Sequence, residues 1–225
     1  MENYRLEGKT FVIDDYDRLP AFSSFLPGLA GVKGIPMWTF YTNRGQGMNS
    51  FGIDNKGNAI MEFNSANTAF ENTTVKGFRT FLKIDGEYYE PFFKYEKEAK
   101  RQIRMNKNSF KIIETNEKYG IEVTVNYFIL PLVRQVSVKN ISDSAKDIEV
   151  IDGLPKIITY GISNGEFKEM SNLFKSWAYI KNIDNKVPYY TLRASTKDSA
   201  EVSDVEGGYY YLTIKGGELQ DVIYD

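Results

Sequence analysis

Ile121-Glu122-Val123-Thr124-Val125-Asn126-Tyr127 alternates apolar and polar side chains without a break. Successive residues of a strand point to opposite faces. Ile121, Val123, Val125 and Tyr127 therefore share one face, and Glu122, Thr124 and Asn126 share the other. Arg134-Gln135-Val136-Ser137-Val138-Lys139 repeats the pattern downstream. Working outward, further short segments rich in β-branched and aromatic residues read as strands. They are Thr10 to Ile13, Pro36 to Tyr41, Ala59 to Phe63, Phe78 to Ile84, Tyr88 to Phe93 and Ser109 to Glu114. Ile148 to Ile151, Lys156 to Tyr160, Tyr189 to Arg193 and Tyr209 to Ile214 continue the series. Asp54 to Asn58, Asp85-Gly86, Lys118 to Gly120 and Lys215 to Gly217 are turn signals between them. Helical spacing is clear only in Glu166 to Trp177, where Phe167, Met170, Phe174 and Trp177 recur and Asn164 stands ready to cap. The charged stretch Lys94 to Asn106 reads as a short helix or a solvated loop. Many short strands with one or two short helices predict a mostly β chain, a large antiparallel two-sheet β-sandwich over residues 1–225 as one domain.

Composition removes several classes of chemistry. The 225 residues include no histidine and no cysteine. Ser-His-Asp and Cys-His nucleophilic centres cannot be assembled from this chain, nor can imidazole or thiolate metal sites. Carboxylates, Lys, Tyr and Arg are left for acid-base work. The formal net charge is -2, so the basic footprint of a nucleic-acid binder is missing. Asp14-Asp15-Tyr16-Asp17 lacks the glycine and distal glutamate of a calcium loop and reads as a charged turn. No metal is expected. No apolar run spans a bilayer and Met1 to Arg5 has no signal-peptide layout, so the expectation is a cytoplasmic protein without a membrane partner.

Leu26 to Phe51 is the stretch richest in candidate chemistry. Glycines at 28, 31, 34, 45 and 47 punctuate Met37-Trp38-Thr39-Phe40-Tyr41 and Asn43-Arg44-Gly45-Gln46-Gly47-Met48-Asn49. Flat apolar faces beside fixed donors and acceptors suit sugar hydroxyls around a ring. Arg44, Gln46 and Asn49 are candidate sugar contacts, with Trp38 as a stacking face and Asn64 on the same edge. The competing reading is structural. Loop arginines and amides commonly satisfy turn backbone, strand aromatics such as Phe40 are commonly core, and Asn64 with Asn67 fits a plain turn.

Several short motifs together give a family resemblance. Pro20-Ala21-Phe22-Ser23-Ser24-Phe25-Leu26-Pro27-Gly28, Arg44-Gly45-Gln46-Gly47 and Met61-Glu62-Phe63-Asn64 belong to it. So do Gly77-Phe78-Arg79-Thr80-Phe81, Asp152-Gly153-Leu154-Pro155 and Glu206-Gly207-Gly208-Tyr209-Tyr210. With these, the chain resembles the N-terminal domain of cellobiose-phosphorylase-like glycoside phosphorylases, in particular bacterial members acting on β-glucan oligosaccharides. The resemblance implies a supersandwich of the galactose-mutarotase-like kind at the start of a longer enzyme. It implies a catalytic (α/α)-barrel domain as partner, and that barrel carries the aspartate that protonates the glycosidic oxygen. No catalytic residue of the family falls on this chain. The implied reaction is inverting phosphorolysis of a β-glucoside oligosaccharide. Inorganic phosphate is the co-substrate and takes the place of a hydrolase's second carboxylate, and no cofactor is needed. A homo-oligomer is implied, because the sandwich of such enzymes commonly joins a dimer interface. A longer loop is expected where Leu130-Pro131 runs directly into Leu132-Val133. A stand-alone carbohydrate-binding module is the alternative. A mutarotase-type enzyme ranks last, since those rely on histidine.

Overall fold

The computed structural model describes residues 3–107, 109–128, 133–197 and 200–224. The short connection after Leu130-Pro131 lies outside the described residues. The chain is mostly β, with several antiparallel sheets and few helices, consistent with a β-sandwich. Its contacts gather in two compact units where the sequence reads as one domain. One comprises residues 1–55 and 61–156, the other residues 56–60 and 157–225.

The first unit contains β1 (Tyr4–Glu7), β2 (Thr10–Asp14), β3 (Ser23–Ala30), β4 (Ile35–Thr42) and β5 (Met48–Ile53). The short β6 (Ala59–Met61) is divided between the units. There follow α1 (Ala66–Lys76), β7 (Arg79–Ile84), β8 (Glu87–Tyr89), β9 (Ala99–Met105), β10 (Ser109–Asn116), β11 (Ile121–Phe128), β12 (Val133–Asn140) and β13 (Ile148–Gly153). Six strands make the largest sheet, in the order β1-β2-β9-β10-β11-β12. β3, β4 and β5 form an antiparallel meander with β3 at its edge, and β7 lies between β13 and β8.

The alternation in β11 sets the core. Ile121, Val123, Val125 and Tyr127 are all fully buried. Their register partners on β10 place Phe110, Ile112, Glu114 and Asn116 on the same inner face. Tyr41 of β4 meets the Phe110 ring at 4.9 Å, Phe78 meets Tyr127 at 5.8 Å, and Phe51 meets Phe78 at 6.1 Å. The inner face of the large sheet thus packs on residues of the meander and on Phe78 just ahead of β7, as in a sandwich. On the edge strand β3 the side chains of Phe25 and Leu29 remain exposed, and Pro27 lies between them.

Hairpins form where turn chemistry demanded them. Asp85 and Gly86 both have positive φ between β7 and β8, the geometry of a two-residue turn that continues strand twist. The charged stretch expected as helix or loop instead holds β9. Ala99, Arg101 and Ile103 face inward there while Lys100 is exposed. The segment Ala66–Lys76, read as a turn at its start, is an 11-residue helix.

The second unit holds α2 (Asn164–Met170), α3 (Phe174–Trp177), β14 (Ala178–Lys181), β15 (Tyr189–Leu192), β16 (Tyr209–Tyr210), β17 (Ile214–Lys215) and β18 (Glu218–Leu219). The helical reading of Glu166 to Trp177 holds in two pieces separated by a 3₁₀ turn at Ser171–Leu173. The cap is Ser163 rather than Asn164. Its hydroxyl accepts from the Glu166 N–H at 3.2 Å, while the Glu166 carboxylate accepts from the Ser163 N–H at 2.8 Å. That reciprocal arrangement satisfies two otherwise unpaired donors and leaves Asn164 as the first helical residue. Lys156 to Tyr160 is not a strand; only Tyr160 forms an isolated bridge, to Thr191.

Gly47 gives a direct test of core packing. Its φ is +79, and a methyl group there would overlap the fully buried Phe110 ring. Gly47→Ala should lower stability by about 2–4 kcal/mol through left-handed strain and overpacking, read as a fall in the urea midpoint.

Candidate functional site

The glycine-rich turn between β4 and β5 closes through backbone bonds from Thr42 N–H to Gly47 O at 2.8 Å and from Gly47 N–H to Arg44 O at 2.9 Å. Its side chains point into the protein. Asn43, fully buried, donates to Tyr16 O at 2.9 Å and Pro20 O at 3.0 Å and accepts from the Phe22 N–H at 2.9 Å. Arg44 donates to Asn43 O at 2.7 Å and Leu19 O at 3.0 Å. Its guanidinium lies 4.3 Å from the centre of the Phe70 ring. Burial lowers its pKa.

Gln46 is 3% exposed and donates to the Thr80 hydroxyl at 3.0 Å. Its carbonyl accepts from Arg134, which also pairs with Asp152. Thr80 in turn donates to Asp152 at 2.6 Å. These four groups make a closed ring of hydrogen bonds joining the β4–β5 turn to β7, β12 and β13. Arg134 lies over the Phe78 ring at 4.9 Å and the Tyr127 ring at 5.8 Å. Burial pulls its pKa down, but Tyr127 and Asp152 more than restore it, so the net shift is upward.

Asn49 donates to Ala69 O at 3.1 Å and to the Thr73 hydroxyl at 3.2 Å, tying α1 to β5. The buried Asn49 Oδ1 has no hydrogen-bond partner. Trp38 donates its indole N–H to Asn55 O at 3.1 Å. Its ring joins Phe25 and Phe63 at 6.3 and 5.6 Å in a half-exposed aromatic cluster. Asn64 is half-buried just ahead of α1. The structure therefore brings Gln46 into one network, Asn49 into a second and Arg44 into a third, rather than turning the three toward a common cleft.

Sequence reasoning missed a larger ionic cluster. Glu114, fully buried on β10, accepts from Arg101 at 2.7 Å, from the Phe92 N–H at 2.7 Å and from the Tyr89 hydroxyl. Arg101 also pairs with Asp17 at 2.8 Å and donates to Lys94 O at 2.5 Å. Asn116 donates to the Tyr89 hydroxyl and to Glu96, both at 2.9 Å. A signal for these groups existed. Arg101, Glu114 and Arg134 all fall on the apolar phase of their strands. The acidic run is dispersed: Asp14 pairs with Arg5 and Asp17 with Arg101. Among the described residues no group of three or more acidic side chains gathers around a metal-sized space, and no helix is long and apolar enough to cross a membrane.

A scan against protein-family models and a search of curated proteins both returned no match.

Two outcomes follow from these networks. Arg101→Met strands the buried Glu114 carboxylate and should cost about 3–5 kcal/mol. Arg44→Met removes only partly buried bonds to carbonyls and should cost about 1 kcal/mol; urea denaturation separates the two. The tyrosines give a pH signature. Burial raises the Tyr16, Tyr89 and Tyr127 hydroxyls above their ordinary value, with Glu114 adding to the shift at Tyr89, and Tyr127 is pushed up to about 12. The unfolded chain releases these protons near pH 10 and the folded chain does not. Their contribution is intact below pH 10 and is lost as pH rises toward 12, by about 1.4 kcal/mol per pH unit for each tyrosine. Tyrosinate absorbance from these three should appear together with unfolding rather than before it.

Proposed function

We propose that this chain is the non-catalytic N-terminal β-sandwich region of an inverting glycoside phosphorylase acting on cellobiose-like or β-glucan oligosaccharides. In this reading it shapes the sugar pocket and supports assembly, while a separate (α/α)-barrel carries the acid and admits inorganic phosphate. The enzyme is cytoplasmic and a homo-oligomer.

The observation that carries the reading is the apolar surface of the second unit. Leu173, Tyr210, Ile214, Ile223 and Tyr224 are each more than half exposed, Tyr210 at 68% and Ile223 at 82%. Large apolar groups left this exposed suit contact with a further protein module better than contact with water. The polar groups of the glycine-rich turn support the same view from the other side. Gln46, Asn43 and Arg44 spend their hydrogen bonds inside the protein, which suits a scaffold whose chemistry is supplied elsewhere. The half-exposed Phe25 and Trp38 rings favour the carbohydrate-binding-module alternative, since such faces stack on sugars.

The test compares the 225-residue chain with the complete gene product, each given cellobiose or laminari-oligosaccharides and inorganic phosphate. The complete product should release sugar 1-phosphate with inverted configuration, and the chain alone should release none. Phosphorolysis by the chain alone, or its absence from the complete product, overturns the proposal.

A further inference from the structure

Two depressions in the first unit differ in how their polar groups are used. The larger, of about 460 Å³, is lined by Asp14, Lys100, Gln102, Thr115 and Glu122 among others. Its charges are largely spent: Asp14 pairs with Arg5 and accepts from Gln102 at 2.7 Å, and Lys100 pairs with Glu117 at 3.0 Å. The smaller, of about 240 Å³, lies between the start of β3 and one face of α1. Phe22 and Ser23 line one side; Ala66, Asn67, Phe70 and Glu71 line the other. The helical spacing of 66, 67, 70 and 71 puts those four on a single face. Among the described residues, the side chains of Asn67 and Glu71 make no hydrogen bond or ion pair within the protein.

We infer that this depression is a binding site for a single neutral sugar ring. Two phenyl rings supply apolar surface for the C–H face of a pyranose. An amide and a carboxylate, both unengaged, supply two N–H donors and three acceptor oxygens for its hydroxyls. The volume is below the range of about 300–1,000 Å³ typical of pockets for drug-sized ligands, which restricts the occupant to one ring or the end of a chain. Charge then narrows the class. Glu71 repels a phosphorylated or carboxylated sugar. Arg44 stacks against Phe70 and is committed to the Asn43 and Leu19 carbonyls. Its role is to back the ring that the sugar would meet. The sequence candidate Arg44 thus backs the site, and the unengaged polar groups that would touch a ligand lie on α1.

Choosing a β-glucoside over other neutral polyols rests on the phosphorylase reading; the site itself does not. The test titrates the ¹⁵N-labelled chain with methyl β-D-glucoside, with cellobiose, with glycerol and with glucose 6-phosphate, following backbone amide shifts. Saturable shifts confined to residues 21–23 and 66–71, in the millimolar range for the two glucosides, are expected. Glu71→Ala and Asn67→Ala should each weaken binding about tenfold while leaving the thermal melting curve in place; both side chains are exposed. Conservative Glu71→Gln should recover part of the loss. No saturable shift with either glucoside, equal binding of glycerol, tighter binding of the phosphate ester, or indifference to both alanine variants overturns the inference. A negative titration beside active phosphorolysis by the complete gene product removes this site alone. Silence in both experiments removes the phosphorylase reading too.

Discussion

The first unit depends on one buried charge. Glu114 sits fully out of water, and a carboxylate there is tolerable only with its oxygens fully engaged. Arg101 on β9, Tyr89 at the end of β8 and the Phe92 amide in the turn after it do this. The Phe92 backbone is in the left-handed region at φ 65, an uncommon conformation for a bulky residue. Its N–H reaches Glu114 from that conformation, so the strained turn after β8 and the charge on β10 hold each other in place. Arg101 extends the link to Asp17 and Lys94. One carboxylate thereby fixes the path of two connections that have no regular hydrogen-bond ladder of their own.

The glycine-rich turn follows the same logic, with an ion pair and two neutral side chains. Gln46, Thr80, Asp152 and Arg134 come from the β4–β5 turn and three strands and satisfy one another. Asn43 gathers the carbonyls of Tyr16 and Pro20 and so ties the loop after β2 to this turn. Buried polar networks of this kind are stabilising when complete and costly when a member is lost. Residue types that suit a sugar pocket are also the types that satisfy buried backbone, because both tasks need fixed donors and acceptors near aromatic faces.

What the sequence revealed follows the range of the interactions involved. β11 and β12 were legible because a period of two is a local property. The Asp85-Gly86 hairpin was legible because its backbone demands those residues. β9 was hidden because Arg101, on its inner face, makes the segment look solvated; its partners Asp17 and Glu114 are 84 and 13 residues away. α1 was hidden because Asn, Thr and Val are modest helix formers, and its support comes from Asn49 on a neighbouring strand. For the candidate residues, the side-chain types were legible and their partners were not. Nothing near Gln46 announces that it meets Arg134, 88 positions on.

Pro27 carries a consequence of its own. It occupies the middle of β3, the free edge of the meander, flanked by the exposed side chains of Phe25 and Leu29. An apolar edge strand is ordinarily a template on which further strands, from any molecule, can grow into fibrils. A residue with no N–H cannot donate to such a ladder. Pro27 therefore leaves this margin able to make selective side-chain contacts while guarding it against runaway polymerisation.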